Sequence, residues 1–84
     1  MKKEIYETFD YAEFLKNNEK FEESIPFYSI ILEKIQKDHP LYTEATDGRG
    51  VSYERIGGWS KAEKDLLASL EVNPEQAYVI NYLA

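Results

Sequence analysis

The sequence has no cysteine and a single histidine among its 84 residues. Without cysteine, disulfides, thiolate-bound zinc and thiol nucleophiles are all excluded. The one imidazole, His39, lies in a predicted turn beside a proline, and general-base catalysis would need an orienting partner near it. No carboxylate cluster has the D-x-D-x-D-G spacing of a calcium loop. These absences predict a chain without a metal or cofactor.

One short segment, Asp47-Gly48-Arg49-Gly50, suggests a glycine-rich anion-binding loop at first sight. It lacks a preceding strand and the complete G-x-x-x-x-G-K signature, and its glycines suit close helix packing better. Ser52 and Ser60 have no histidine in a register that would activate them. An enzyme is therefore not expected.

Long apolar runs and an excess of positive charge are also missing. No stretch approaches the ~18 consecutive apolar residues that a membrane span requires, and no apolar segment follows the basic start Lys2-Lys3 as in a signal peptide. The net charge of −6 repels phosphate backbones and anionic lipid. The sequence thus predicts neither nucleic-acid nor membrane binding, and it leaves the compartment open.

The residues that are present favour a folded domain. Apolar residues make up 43% of the chain and aromatic residues 14%, which is more than a disordered chain contains. A chain of this length buries only about 60% of its unfolded surface, so it forms at most one domain and needs good packing. We expect a single domain over residues 1–84.

Apolar residues recur at helical spacing along the whole chain, and no strand pattern is present. The predicted helices are 4–17, 22–37, 41–56, a fourth from a capping box at Ser60-Lys61-Ala62-Glu63 to Asn73, and a fifth over 75–84. Gly57 suits a left-handed helix cap, and Pro40 suits the first position of a helix. The fold class is predicted to be all-α, with about five antiparallel helices joined by short turns.

The second half of the chain carries a recognisable repeat pattern. Its residues are Gly50, Tyr53, Gly57, Trp59, Ala62, Leu66 and Pro74. Pro40 and Pro74 are separated by 34 residues, the period of the tetratricopeptide repeat (TPR). The sequence resembles this family over most of its length, with unit one at about 4–38, unit two at about 40–74 and a truncated third unit at 75–84. The resemblance implies an α-solenoid fragment.

The first unit is a degenerate copy of the second. Its matching residues are Ala12, Leu15, Phe21, Ser24 and Tyr28. Its proline comes four residues late, which predicts one extra helical turn in the segment that ends near Lys37. In unit two, Thr46 and Arg49 stand where the family has bulky apolar residues, so we expect this edge to be weakly packed.

The resemblance also implies a binding surface, because the first helix of each TPR unit lines a concave groove. The groove positions carry over to Tyr6, Phe9, Glu13, Lys16, Asp47, Val51, Glu54, Tyr78 and Asn81. This acidic and aromatic set would suit a neutral to basic peptide or protein segment. Some TPR proteins hold the acidic tail of a chaperone with Lys and Asn side chains, and those positions here are Phe9, Glu13, Asp47 and Val51, which do not support that activity.

Two other interpretations of the repeats stay open. The units could be structural spacers of a longer solenoid whose ligand site lies elsewhere, and a catalytic role is a distant third. The apolar residues Val79, Ile80 and Leu83 lack the helix that would cover them in a complete unit, so a homodimer through the C-terminal end is also expected.

Overall fold

A computed structural model describes residues 2–75, and these residues form four helices and no strand. The helices are α1 (Lys2–Asn17), α2 (Phe21–Lys34), α3 (Tyr42–Arg55) and α4 (Trp59–Val72). The predicted all-α class is confirmed. Of the predicted fifth helix, 75–84, only Glu75 is described, and it lies in a turn. Residues 76–84, with the rest of that helix and the predicted C-terminal dimer contact, lie outside the described residues.

The turn between α3 and α4 is built around Gly57, as predicted. Gly57 has a φ of +85°, a left-handed conformation that glycine adopts without a steric penalty. The Gly57 N–H donates to Glu54 O at 3.1 Å, and the Gly58 N–H donates to Tyr53 O at 2.7 Å. This pair of bonds is a Schellman motif, which reverses the chain and makes the two helices antiparallel.

The turn between α1 and α2 repeats this geometry without a glycine. Glu19 takes the left-handed conformation at a φ of +63°. Its N–H donates to Lys16 O at 3.0 Å, and the Lys20 N–H donates to Leu15 O at 2.8 Å. The two helix pairs therefore end their first helix in the same way, although a non-glycine residue at this position is strained.

The structural repeat has an offset of 38 residues, since α2 begins at Phe21 and α4 begins at Trp59. Both helices contain 14 residues. The predicted extra helical turn is wrong. Helix α2 ends at Lys34, and the following Ile35 is extended. The additional residues form the loop 35–41 instead. This loop contains Pro40, and a proline disfavours the helical conformation of the residue before it.

Two predicted helix starts also need correction. Pro40 does not begin α3, since that helix starts at Tyr42. The predicted capping box does not form either: the N-cap is Gly58, two residues before Ser60, so α4 starts at Trp59, and no side-chain cap bond is present. The Schellman turn already delivers the chain into α4, so Ser60 falls inside the first turn of the helix.

The helices stack in chain order and do not close into a bundle. Helix α2 packs between α1 and α3, α4 packs on α3, and α1 meets α3 along one edge. The main buried cluster contains Ala12, Tyr28, Ile31 and Ala45. It draws on α1, α2 and α3, so these three helices are held together by one core.

The two glycines inside α3 allow close approach on two different sides. A Cβ atom on Gly48 would lie 2.5 Å from Tyr28 Cζ, and one on Gly50 would lie 3.1 Å from Leu66 Cγ. Gly48 thus admits the Tyr28 ring of α2, while Gly50 admits α4. The prediction that these glycines serve helix packing agrees with this geometry.

The edge that was expected to be weakly packed contains a bidentate ion pair. Arg49 Nε donates to Asp65 Oδ2 and its Nη2 donates to Asp65 Oδ1, both at 2.8 Å, and Nη1 donates to Ser29 Oγ at 3.0 Å. Thr46 is buried and donates to Tyr42 O at 2.9 Å. Arg49 therefore links α2, α3 and α4, and that expectation was wrong because a polar contact replaces the apolar one.

Candidate functional site

A pocket of about 390 Å³ lies between α1 and α3. It is lined by Phe9, Glu13, Lys16, Glu44, Asp47, Gly48 and Val51. Five of the nine predicted groove residues are in this set, and they come from two helices that are distant in sequence. We call it the α1–α3 pocket.

Tyr28 of α2 fixes the position of Glu13, which lies on the α1 side of the pocket. Tyr28 is fully buried, and its hydroxyl donates to Glu13 Oε2. Burial raises the pKa of Tyr28 well above its ordinary value of 10.0, and the hydrogen bond to Glu13 raises it further. The phenol therefore stays protonated and acts as a fixed donor to the Glu13 carboxylate.

Glu13 also contacts the one basic side chain of the pocket. Lys16 Nζ lies 3.3 Å from Glu13 Oε2 and 3.4 Å from Oε1, one turn further along α1. Both side chains are partly exposed, at 22% for Lys16 and 29% for Glu13. Glu13 offsets the positive charge of Lys16. The net charge of the pocket therefore comes from its two other carboxylates, Glu44 and Asp47.

Those two carboxylates come from α3 and differ in accessibility. Glu44 is exposed at the rim, whereas Asp47 is only 8% exposed. Three carboxylates and one ammonium group line the pocket in total. The pocket consequently attracts cations. A ligand in solution can reach the Glu44 carboxylate, which is exposed, more easily than the buried Asp47 carboxylate.

Phe9 and Val51 give the pocket its apolar walls. Both are half-buried, and the Phe9 ring meets the Tyr28 ring edge-on with centroids 6.3 Å apart. Phe9 packs against the main core cluster, so its ring is fixed before any ligand arrives. A rigid aromatic wall next to carboxylates is the kind of surface that anchors an apolar or basic side chain.

Of the remaining four predicted residues, the two that the structure describes do not line this pocket. Tyr6 is 42% exposed and lies beside His39, with ring centroids 6.2 Å apart. Glu54 lies near the end of α3, where its Oε1 is 3.2 Å from Arg55 Nε. Tyr78 and Asn81 lie outside the described residues.

Glu44 and Gly48 are the two lining residues that the predicted groove set does not contain, and Glu44 is the one with a charged side chain. The signal was present, because Glu44, Asp47 and Val51 follow one another at spacings of three and four on α3. Residues at such spacings share one face of a helix. The family pattern gave the two later positions, and the periodicity alone would have added the first.

His39, the single histidine of the sequence, lies in the turn before α3. His39 Nδ1 accepts the Leu41 N–H at 3.0 Å, so the imidazole caps the turn that precedes α3. Within residues 2–75, no three histidine, aspartate or glutamate side chains are placed to hold a metal ion. No helix in the same range combines the length and apolar character needed to cross a membrane.

A second pocket, of about 460 Å³, lies at the turn between α3 and α4. Its lining includes Tyr53, Ile56, Trp59 and Lys61, and the Trp59 side chain is 64% exposed. Lys61 Nζ lies 5.5 Å from the centroid of the Tyr53 ring. In the first helix pair the matching aromatic, Phe21, is covered by the Arg55 guanidinium at 5.5 Å from its centroid.

Comparisons of the chain with known protein families, with curated proteins and with solved structures find no match.

Proposed function

We propose that this chain is a non-catalytic, TPR-like interaction module that binds a neutral to basic peptide or protein segment in the α1–α3 pocket. The observation that carries the proposal is the convergence of Phe9, Glu13, Lys16, Asp47 and Val51 on one pocket. The resemblance to the TPR family assigns these same five residues to the groove.

The size of the pocket suits part of a peptide. About 390 Å³ falls at the lower end of the ~300–1,000 Å³ range of ligand pockets. The pocket therefore takes one or two side chains of a segment that continues over the surface. A lysine or arginine side chain would place its aliphatic stem along Phe9 and Val51 and its charge near Glu44.

The repeat geometry supports the family part of the proposal. The two helix pairs have the same turn motif, at Glu19 and Gly57, and their second helices have equal length. Helices α1 and α3 meet along one edge of the stack, as the first helices of TPR units are expected to do. The pocket lies between these two helices.

The proposal is tested with an array of synthetic peptides of random sequence, grouped by net charge, and then by titrating the strongest binder in solution. We expect basic peptides to bind about tenfold more tightly than acidic ones, a difference of roughly 1.4 kcal/mol. Higher salt should reduce the difference, because the attraction involves an exposed carboxylate.

Glu44→Lys is the deciding variant, and Glu63→Lys is its matched control. Both residues are exposed and undergo the same charge change, but Glu63 lies on α4, outside the pocket lining. We expect Glu44→Lys to weaken the basic peptide about fivefold, on the order of 1 kcal/mol, and Glu63→Lys to leave it nearly unchanged. Asp47 is unsuitable for reversal, since its side chain is buried and a lysine there would disturb the fold.

Equal retention of acidic and basic peptides, or equal effects of the two variants, would contradict the proposal. Retention of no peptide at all would favour the structural-spacer interpretation of the repeats. Circular dichroism of both variants confirms that they remain helical before binding is compared.

A further inference from the structure

Two exposed aromatic side chains of α1 and one partly buried ring of α2 lie on the side of α1 that faces away from the α1–α3 pocket. We call Tyr11, Phe14 and Phe27 the outer aromatic face. Tyr11 is 49% exposed and Phe14 57% exposed, and their rings are stacked with centroids 6.3 Å apart. Phe27 of α2 meets Tyr11 edge-on at 4.9 Å. Since each residue turns a helix by about 100°, Tyr11 points nearly opposite to Phe9 and Glu13.

The internal repeat shows what occupies the corresponding face of the second helix pair. The 38-residue offset places Tyr11, Phe14 and Phe27 at Arg49, Ser52 and Asp65. The correspondence is structural as well, because Thr8 donates to Glu4 O at 2.8 Å and Thr46 donates to Tyr42 O at 2.9 Å, and both partners are also 38 residues apart.

In the second pair this face is covered by a helix. Arg49 Nη1 donates to Ser29 Oγ of α2 at 3.0 Å, and Ser52 Oγ lies 2.7 Å from Ser24 Oγ of α2 in a hydrogen bond. Ser24 and Ser52 are both fully buried. Helix α2 thus packs across α3 through the positions that correspond to Tyr11 and Phe14.

In the first pair the same positions are aromatic and exposed. The aromatic pair Tyr11–Phe27 stands where the second pair has the ion pair Arg49–Asp65. Within residues 2–75, α1 contacts only α2, through Phe27 on this side, and α3, so no further helix covers Tyr11 and Phe14 as α2 covers α3. Covering exposed aromatic rings contributes more binding free energy than covering polar side chains, because aromatic residues bury large apolar areas at interfaces.

We propose that the outer aromatic face docks an amphipathic helix of a partner protein, which lies across α1 as α2 lies across α3. The occupant needs an apolar stripe about as long as α2, which has 14 residues. Ile30, 40% exposed and one turn beyond Phe27 on α2, lengthens the apolar surface available to it.

The charges around the face specify the flanks of that helix. Glu7, Asp10 and Glu23 are exposed and precede Tyr11, Phe14 and Phe27 by one helical turn. Complementary flanks would therefore carry lysine or arginine. A second copy of this chain is disfavoured as the occupant, because a two-fold contact would oppose these acidic residues to themselves in a chain of net charge −6.

The test uses three synthetic helical peptides of 14 residues, the length of α2. The first has a leucine stripe with lysine flanks, the second has the same composition scrambled to remove the stripe, and the third replaces lysine by glutamate. We expect only the first to bind tightly, with at least a tenfold advantage over the other two by fluorescence anisotropy.

Phe14→Glu is the deciding variant, and Leu67→Glu on α4 is its matched control, since Leu67 is 52% exposed. Phe14→Glu should weaken the first peptide at least tenfold, whereas Leu67→Glu should leave it unchanged. Phe14→Ser serves as a second variant if circular dichroism shows that the glutamate disturbs α1. A larger loss in Phe14→Glu than in the pocket variant Glu44→Lys separates binding at this face from binding in the α1–α3 pocket.

Three outcomes would overturn the inference. The first is that the scrambled or glutamate peptide binds as well as the first one, or that none of them binds. The second is that Phe14→Glu and Phe14→Ser both retain full affinity. The third is that the protein dimerises in sedimentation experiments and Phe14→Glu abolishes the dimer, which would assign the face to a second copy.

Discussion

At the residue scale, single positions decide how closely the helices approach. Gly48 and Gly50 lie in the middle of α3, where each costs roughly 1 kcal/mol against alanine in helix propensity. The two differ in what a side chain would meet. Gly48 faces the buried Tyr28 ring, which the hydrogen bond to Glu13 holds in place, while Gly50 faces the more adaptable end of Leu66.

Gly48→Ala should therefore destabilise the protein more than Gly50→Ala does. A Cβ at position 48 lies 2.5 Å from Tyr28 Cζ and forces the ring to move, whereas contacts at position 50 begin at 3.1 Å. We expect Gly48→Ala to lose about 1–2 kcal/mol of unfolding free energy and Gly50→Ala to be near neutral. Urea denaturation measures both, and equal stabilities would mean that Tyr28 can shift without cost.

Glu19 is a second residue with a conformational cost, because it takes the left-handed conformation that Gly57 takes in the other helix pair. Glu19→Gly should stabilise the protein by about 1 kcal/mol. Lys20→Gly is the matched control, since Lys20 has a φ of −92° and gains nothing from glycine. Thermal unfolding compares the two, and a melting temperature that falls in both variants would contradict the strain argument.

At the element scale, the Arg49–Asp65 pair ties α3 to α4 and reaches α2 through Ser29. Hydrogen bonding to Asp65 raises the pKa of Arg49, so the guanidinium stays charged at all relevant pH values. Asp65 is 5% exposed. Removing the arginine alone would leave the buried Asp65 carboxylate without its counter-ion. An uncompensated buried charge strongly lowers the free energy of unfolding.

A double-mutant cycle that copies the first helix pair into the second tests this pair. Arg49→Tyr and Asp65→Phe each break the ion pair and should each cost about 2–4 kcal/mol. The double variant recreates the Tyr11–Phe27 contact at the corresponding positions, so it should recover at least half of the summed loss. Strictly additive losses in chemical denaturation would show that the two helix pairs do not share this geometry.

At the scale of the whole molecule, Tyr28 connects three helices. It belongs to α2, donates to Glu13 of α1 and occupies the space left by Gly48 of α3. The same contacts build the core and fix the wall of the α1–α3 pocket. Stability and the shape of the α1–α3 pocket are therefore coupled through this one side chain.

Because burial and the Glu13 hydrogen bond raise the pKa of Tyr28 in the folded state, the protein should lose stability at alkaline pH. The contribution is complete below the ordinary tyrosine pKa of 10.0 and declines above it, since only the unfolded chain then releases the proton. The free energy of unfolding should fall by about 1.4 kcal/mol per pH unit more steeply than in Tyr28→Phe. Parallel slopes for the two proteins above this pH would contradict the predicted shift.

Local sequence determined the helices, their order and most of their bounds, because helical periodicity, turn residues and chain reversal at Gly57 depend on near neighbours. The TPR resemblance named five residues that the structure brings together in one pocket, and their role in binding stays a prediction. The fifth helix and the C-terminal contact stay predictions.

The tertiary structure decided what depends on contacts between distant parts of the chain. The sequence did not show that Asp47 would be buried, that Arg49 would pair with Asp65 sixteen residues away, or that the extra residues before Pro40 would form a loop. Nor did it show that Glu19 would accept a left-handed conformation. Packing energies shared among several helices outweigh local preferences at these positions, and such energies exist only once the helices have met.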